Sequence, residues 1–267
     1  MDFASQSTGL GSIANCRELG GYVLPDGRRI KKGLLLRGGS LYKASNEDLD
    51  ALQKRFHVAV NFDFRTREEI DAAPDRQVMG SRYLWLPAID PRTENIAGQS
   101  LPQEAYYDLG QYLVINSHNP MVQDVARRLY LDMVDNEYTQ LQYAVFMQTI
   151  VNTPSGAVYW HCSQGKDRTG LGAAFILCAL GADRKLILED YMISWEFYEG
   201  ITNSLCSKVQ TEEERAVIRT FIGVNIDYFT AALDLIDRRW GSLEGYLKGP
   251  LCMSDEDFAT LRERYTE

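Results

Sequence analysis

Long hydrophobic runs are missing from this chain. No uninterrupted apolar stretch approaches the roughly 18 residues that a membrane-spanning helix needs. The first residues, Met1-Asp2-Phe3-Ala4-Ser5-Gln6-Ser7, carry neither the basic nor the apolar region of a secretory signal. The expectation is a soluble protein with no transmembrane segment. Cysteine is sparse: five in 267 residues, an odd number at irregular spacing that suits neither a disulfide framework nor a zinc site. Positive charge is in deficit, for the net charge is −9. No broad basic surface exists to displace counterions from phosphates, which excludes general nucleic-acid binding. Repeats, low-complexity tracts and Pro/Gly/Ser-rich linkers are absent too. A hydrophobic content of 45% is enough for one large core. The expected organisation is a flexible N-terminus over residues 1–12 and a single domain over 13–267, with the oligomeric state left open.

What the chain has is concentrated in His161-Cys162-Ser163-Gln164-Gly165-Lys166-Asp167-Arg168-Thr169-Gly170, which joins a nucleophile to an anion cradle. A cysteine attacks only as its thiolate, and Lys166, Arg168 and the N-terminus of a following helix each stabilise that charge. Between Cys162 and Arg168, the backbone of Ser163, Gln164, Gly165, Lys166 and Asp167 has room to curl and aim its N–H groups at one anion. Arg168 closes the ring as a bidentate fork. The anion that fits is a phosphate. Gly156 to Trp160 reads as a short buried strand, and Thr169 to Leu180 as a helix apolar nearly all round that Gly181 stops. A chance match to His-Cys-two residues-Gly-two residues-Arg-Thr-Gly is expected in fewer than roughly one chain in 10⁵, so this segment outweighs every other signal. Cys162 is then the nucleophile and Arg168 the phosphate ligand and transition-state stabiliser. The Thr169 hydroxyl is placed to bond the Cys162 sulfur, to cap the helix, or both. His161 reads as an orderer of the loop rather than a base, and Lys166 as a ligand for anionic substrate groups. Cys16, Cys178, Cys206 and Cys252 have no comparable setting.

Elsewhere the first half alternates strands with helices, an α/β layer pattern. Strands are expected at Tyr22 to Leu24, Leu34 to Leu36, His57 to Phe62 and Tyr83 to Leu86. Helices are expected near 46–55 and 67–73, each opened by a Ser or Thr three residues before an acid. From about Gln103 the pattern turns helical, with Met121 to Met133, Tyr138 to Val151, Asp183 to Tyr198, Glu212 to Arg239 broken near Gly223, and Asp255 to Tyr265. The basic run Arg28-Arg29-Ile30-Lys31-Lys32 follows the turn Pro25-Asp26-Gly27 and reads as the second arm of an exposed hairpin. Residues near 200–225 are candidates for a helical lid hinged at Gly200 to Ser204 and at Gly223.

The loop from His161 to Gly170 resembles the phosphate-binding loop of the cysteine-dependent protein tyrosine phosphatases. With Lys166 and Asp167 in its interior it is similar to the bacterial branch that includes a secreted mycobacterial enzyme of broad phosphotyrosine and phosphoinositide activity. Asn15-Cys16-Arg17-Glu18-Leu19-Gly20-Gly21, the Leu34-Leu35-Leu36-Arg37-Gly38-Gly39 run and Asn61-Phe62-Asp63-Phe64-Arg65-Thr66 resemble three further segments of that family in the same order, over roughly residues 13 to 265. Cys16, Glu18, Gly39 and Phe64 depart from its pattern, and none of them lies in the loop. The resemblance implies a single-domain α/β tyrosine phosphatase-like fold, a central sheet flanked by helices with a helix-rich C-terminal third. It implies hydrolysis of phosphate monoesters through a cysteinyl-phosphate, on protein phosphotyrosine with broad specificity or on phosphoinositides, without a metal or other cofactor. It also points to Asp167 as the general acid. The residues alone leave Asp63, at the end of a strand beside Arg65, and Asp90, in Pro87-Ala88-Ile89-Asp90-Pro91, as alternatives, with Asp132 and Asp135 on a helix. Sulfur transfer, arsenate reduction and a phosphate-binding pseudophosphatase acting as an interaction module are the rival readings. A thiolate enzyme needs a reducing compartment, so a cytoplasmic location is expected, with export lacking a classical signal left open.

Overall fold

The computed structural model describes residues 3–92, 109–116 and 121–267. Five strands form one sheet in the order β1-β2-β5-β3-β4: β1 (Arg17–Glu18), β2 (Leu35–Gly38), β3 (Val58–Asp63), β4 (Arg82–Trp85) and β5 (Ala157–His161). All neighbours run parallel except β1, which pairs antiparallel with β2 at the edge. The central strand β5 is buried along its whole length, as parallel strands covered on both faces must be. Its side chains alternate between two cores. Val158 and Trp160 enter the larger one, while Ala157 and Tyr159 enter a smaller one with Leu36, Leu52 and Val58.

Helices cover both faces. α1 (Phe3–Gln6), α2 (Asn46–Lys54) and α3 (Arg67–Ala72) come early in the chain, followed by α4 (Leu109–Asn116), α5 (Met121–Asp135) and α6 (Glu137–Val151). After β5 come α7 (Asp167–Leu180), α8 (Arg184–Cys206), α9 (Glu212–Phe221), α10 (Ile226–Trp240), α11 (Leu243–Lys248) and α12 (Asp255–Tyr265). α7 is the central helix, buried nearly all round, and it stops where Gly181 takes a left-handed φ of 100°. Its Gly172 lies against Phe64, Phe146 and Trp160, all within about van der Waals contact of where a Cβ would stand. That close approach draws α7 onto the sheet. Among the described residues no single helix is long and apolar enough to cross a membrane.

The mixed sheet, the flanking helices and the helix-rich final third agree with the expected fold class. Two local expectations change. Tyr22 to Leu24 forms no regular strand: it is one arm of the expected hairpin, with Ile30 N–H donating to the Tyr22 carbonyl at 2.9 Å and Leu24 N–H to that of Arg28 at 2.8 Å, and the arm carrying Ile30 also bridges Thr266 at the C-terminus. The basic arm is spent there, with Lys31 Nζ donating to the Glu263 and Arg264 carbonyls at the end of α12 and Arg28 paired to Asp26. Gly200 is no hinge, since α8 runs through it to Cys206; one exposed glycine costs a helix only about 1 kcal/mol relative to alanine. The break near Gly223 is present, between α9 and α10, whose axes bend by 57°. Within the N-terminal segment 1–12, Ser7 bridges Arg17, Leu10 is buried, and Ser12 N–H donates to Asp48 at 2.8 Å. The helical pattern expected from Gln103 lies outside the described residues as far as 108.

Candidate active site

β5 ends at His161, and α7 begins at Asp167, so the loop between them sits at the carboxyl end of the central parallel strand, where open α/β sheets place ligands. Its conformation follows from where its carbonyls go. Those of Cys162, Ser163, Gln164, Gly165 and Lys166 are all engaged from outside the ring. The His161 ring Nδ1 lies 3.3 Å from the first, and Ser40 N–H donates to the second at 3.2 Å. Tyr198 Oη donates to Gln164 at 2.6 Å, Asn15 Nδ2 to Gly165 at 3.0 Å, and Arg37 Nη2 to Gly165 at 3.0 Å and to Lys166 at 3.4 Å. A tight loop whose carbonyls point outward turns its N–H groups inward, and the first turn of α7 adds its own unpaired amides. Gly165 makes the turn possible. Its φ is 68°, and a Cβ there would stand 2.2 Å from the Gly38 carbonyl carbon, inside β2. The Asn15 and Gly38-Gly39 segments, far away in sequence, form the outer wall of the cradle.

Cys162 is buried at the base of the loop, 2% exposed. The fork of Arg168 has both terminal nitrogens on Glu69, at 2.5 and 2.7 Å. Burial alone would raise the Glu69 carboxyl, but the Arg168 guanidinium beside it outweighs that and holds it below the usual range. The same carboxylate accepts from the Ser163 hydroxyl and from Thr66 N–H, the latter at 2.8 Å. Glu69 thus fixes Arg168 end-on and leaves the guanidinium's side edge for a ligand. The sequence marks Glu69 only as the acid of a capping box opening α3, a role it also fills. Thr169 is the third residue of α7 rather than its cap, the cap position being Lys166. Its hydroxyl is fully buried with no hydrogen-bond partner among the described residues.

Lys166 does not reach toward the ring. Its ammonium is buried and donates to the carbonyls of Phe221 and Gly223 at 2.6 Å each, with Asp167 at 3.8 Å, and burial pulls its pKa below the ordinary lysine value. It ties the loop to the elbow between α9 and α10. Beside that elbow, Leu113 of α4, Leu205 of α8 and Val217 and Ile218 of α9 form a small separate core. Asp167 opens α7 with its side chain 29% exposed. It accepts from Tyr130 Oη, which in turn shares a 2.6 Å hydrogen bond with Tyr191 Oη.

The other carboxylates are placed differently. Asp63 is fully buried, forked by Arg65 Nε and Nη2 at 2.9 and 2.7 Å and bonded by Tyr83 Oη at 2.9 Å. Burial would raise its pKa, yet His161 and Arg65 outweigh it and bring it down to about 2. A carboxylate held that firmly is a poor proton donor, which weighs against Asp63 as the acid. Asp90 is held in the same way by Arg92 and also brought down to about 2. Asp132 accepts from Asn136, and Asp135 pairs with Arg239. Asp63, Asp75 and His161 converge within 4.8 Å, a donor set of the kind that holds a metal. The Arg65 guanidinium already stands on both carboxylates, at 2.7 and 3.0 Å, so the cation position is taken. Burial alone would keep His161 neutral, but Asp63 and Asp75 outweigh it and hold its pKa above the ordinary histidine value. The remaining thiols offer no partner chemistry: all five cysteines are free, and burial pushes Cys16 and Cys178 up to about 12.

A buried thiol beneath a loop with outward carbonyls, beside an arginine fork steadied by Glu69, makes an anion site of the kind a phosphatase needs. The chain belongs to the tyrosine phosphatase family, whose sequence profile matches residues 8–267. It is 28% identical over 255 residues to a putative tyrosine-protein phosphatase of Cupriavidus necator, covering 95% of this chain and 86% of that one. It is likewise 28% identical over 242 residues to the triple specificity protein phosphatase PtpB of Mycobacterium tuberculosis, covering 80% of this chain and 86% of that one. A tyrosine-protein phosphatase of Nostoc commune is 25% identical over 241 residues, with 88% and 75% covered. The protein is a protein tyrosine phosphatase, and the fold class expected from the sequence stands.

Proposed function

We propose that the protein hydrolyses phosphate monoesters through a cysteinyl-phosphate on Cys162, with phosphotyrosine in proteins as its principal substrate and broad specificity around it. The observation that carries this is the loop whose five outward carbonyls leave an amide-lined ring over a buried cysteine, with the Arg168 fork steadied by Glu69 at its lip. In the first step the Cys162 thiolate attacks phosphorus in line. The S–P bond forms as the P–O bond to the leaving group breaks, and Asp167 gives its proton to the departing oxygen. In the second step water attacks phosphorus and returns a proton to Asp167, the S–P bond breaks, and orthophosphate leaves with the thiolate restored. The loop amides and Arg168 hold the equatorial oxygens in both transition states, so no metal is called on. The buried Thr169 hydroxyl, without another partner among the described residues, supports a hydrogen bond to sulfur as it becomes a leaving group.

Asp167 has support as the acid because it alone among the candidate carboxylates combines a place on the loop with partial exposure and no arginine fork. The engagement of Lys166 by two backbone carbonyls weighs against its gripping a second phosphate, and so favours phosphotyrosine over a phosphoinositide. Five free thiols agree with work in a reducing compartment such as the cytoplasm. The test is a panel of phosphotyrosine and phosphothreonine peptides and phosphoinositide vesicles. Cys162→Ser is expected to bind orthophosphate but turn over nothing, and Asp167→Asn to slow alkyl phosphates by about 10²-fold or more while sparing activated aryl phosphates. Turnover by Cys162→Ser would overturn the mechanism, equal losses on both leaving groups would remove Asp167 as the acid, and faster hydrolysis of the vesicles would make phosphoinositides the principal substrate.

A further inference from the structure

Behind the outer wall of the loop lies a buried ionic cluster that the catalytic steps leave unused. Arg17 and Arg37 are both 0% exposed and share one carboxylate, Asp190, itself 1% exposed. Arg17 Nε lies 3.4 Å from Asp190, Arg17 Nη2 donates to the Asp190 carbonyl at 2.8 Å and to Ser194 Oγ at 3.1 Å, and Arg37 Nη1 pairs with the other carboxylate oxygen. Tyr22 Oη adds a donor to the same carboxylate at 2.9 Å. Two guanidiniums therefore meet a single carboxylate in a place water does not reach. Elsewhere around the loop the described cations and carboxylates are paired: Arg168 meets Glu69, Lys166 meets Asp167, and Arg65 meets Asp63 and Asp75 beside the His161 ring. An unbalanced charge in a low-dielectric interior is costly unless an opposite charge comes within reach. Of the three cations that belong to the loop or bond its carbonyls, Arg37, Lys166 and Arg168, only Arg37 belongs to a cluster in cationic excess.

We infer that Arg37, held by Asp190 against the back of the loop, is a positioning residue whose surplus positive charge is balanced by the Cys162 thiolate and, after it, by the bound phosphoryl group. One side chain then performs two tasks. Its Nη2 donates to the Gly165 and Lys166 carbonyls and keeps their amides turned inward, and its charge favours an anion in the ring. Burial and the neighbouring Arg17 pull the Arg37 pKa down to about 10, the direction expected of a cation short of partners. It remains a cation at neutral pH. Asp190 limits the excess, and Asn15, which accepts from Arg17 and donates to Gly165, fastens cluster and loop together.

The inference rests on Cys162 being the reactive thiol, and a readout independent of turnover separates the two. Iodoacetamide alkylation of Cys162 is followed by peptide mass at pH 6 and at pH 9.5 in the folded protein. Slow labelling of the wild type at pH 6 would refute the reactive-thiolate reading itself. Given fast labelling there, Arg37→Met is expected to slow it about tenfold at pH 6 and little at pH 9.5, where thiols ionise unaided. Arg37→Lys keeps the charge but not the fork, and is expected to recover most of the pH 6 rate. Asp190→Asn, a second variant of unchanged shape, is expected to act in the opposite direction and speed labelling at pH 6. Unchanged labelling in Arg37→Met, or slowing by Asp190→Asn as well, would reduce the cluster to ordinary structural support and overturn the proposal.

Discussion

The two flanks of the catalytic loop bury similar groups to different ends. On the β3 side Arg65 and His161 face Asp63 and Asp75, two basic side chains against two carboxylates, with contacts of 2.7 and 3.0 Å from one guanidinium to both acids. On the β2 side Arg17 and Arg37 face Asp190 alone. The Arg17, Arg37 and Asp190 cluster is sealed from solvent, and on the β3 side only Asp75 is partly exposed, with 9% of its side chain, so both clusters are weakly screened by salt or water. The balanced flank is an anchor: it pins the end of β3 and the His161 ring, which stacks on Tyr159 at 5.5 Å. The unbalanced flank is a source of field. Burial of arginine by itself therefore says nothing of function, and what decides is whether the carboxylates around it close the count.

The sharpest way to break the contrast is to remove a cation from the balanced side. Arg65→Met strands Asp63 and Asp75 without their guanidinium, and is expected to lower unfolding free energy by about 3–5 kcal/mol, read by urea denaturation; an unchanged midpoint would mean that the anchor lies elsewhere. Titration gives a second, smaller effect. The Asp63 carboxyl falls from 3.8 to about 2 on folding. A group depressed in this way adds stability above its unfolded value and loses it as pH drops, here between about 4 and 2, for a total near 2 kcal/mol. Asp63→Asn should flatten that part of the stability profile, and a slope that persists would move the acid sensitivity to other carboxylates. The smallest effect belongs to the outward carbonyls. Tyr198→Phe removes the 2.6 Å donor to Gln164, and orthophosphate binding to the Cys162→Ser background is expected to weaken about fivefold, one hydrogen bond's worth. No change in calorimetry would show that Asn15 alone, 3.5 Å from that carbonyl, suffices.

Much of this was legible in the residues, and the exceptions have a common origin. The strand, loop and helix around Cys162 could be read because glycine placement and apolar periodicity are local signals, and the structure puts them at Ala157–His161 and Asp167–Leu180. Asp63 and Asp90 are each followed two residues later by an arginine that pairs with them. The chain folds Asp63-Phe64-Arg65 and Asp90-Pro91-Arg92 alike: the arginine N–H and guanidinium both return to the carboxylate, with the N–H at 3.0 and 2.8 Å. Asp26 and Arg28 repeat the pattern at the surface with the N–H at 3.1 Å. An aspartate two positions before an arginine deserved to be read as consumed. Glu69, Arg37, Asp190 and Tyr130 could not be assigned from sequence, since their partners lie 99, 128, 153 and 37 positions away. Such contacts exist only once the sheet has set the register.

The five outward carbonyls carry a consequence for anyone wishing to move this chemistry. The ten residues from His161 to Gly170 look like a portable cassette, yet most of the donors that shape them come from Asn15, Arg37, Ser40 and Tyr198. Grafted alone onto another strand and helix, the segment would leave those carbonyls free to swing inward, meeting an incoming phosphate with like charge where amides should be. The smallest transferable unit is discontinuous, and it includes Gly38, whose bare backbone is the surface on which Gly165 turns.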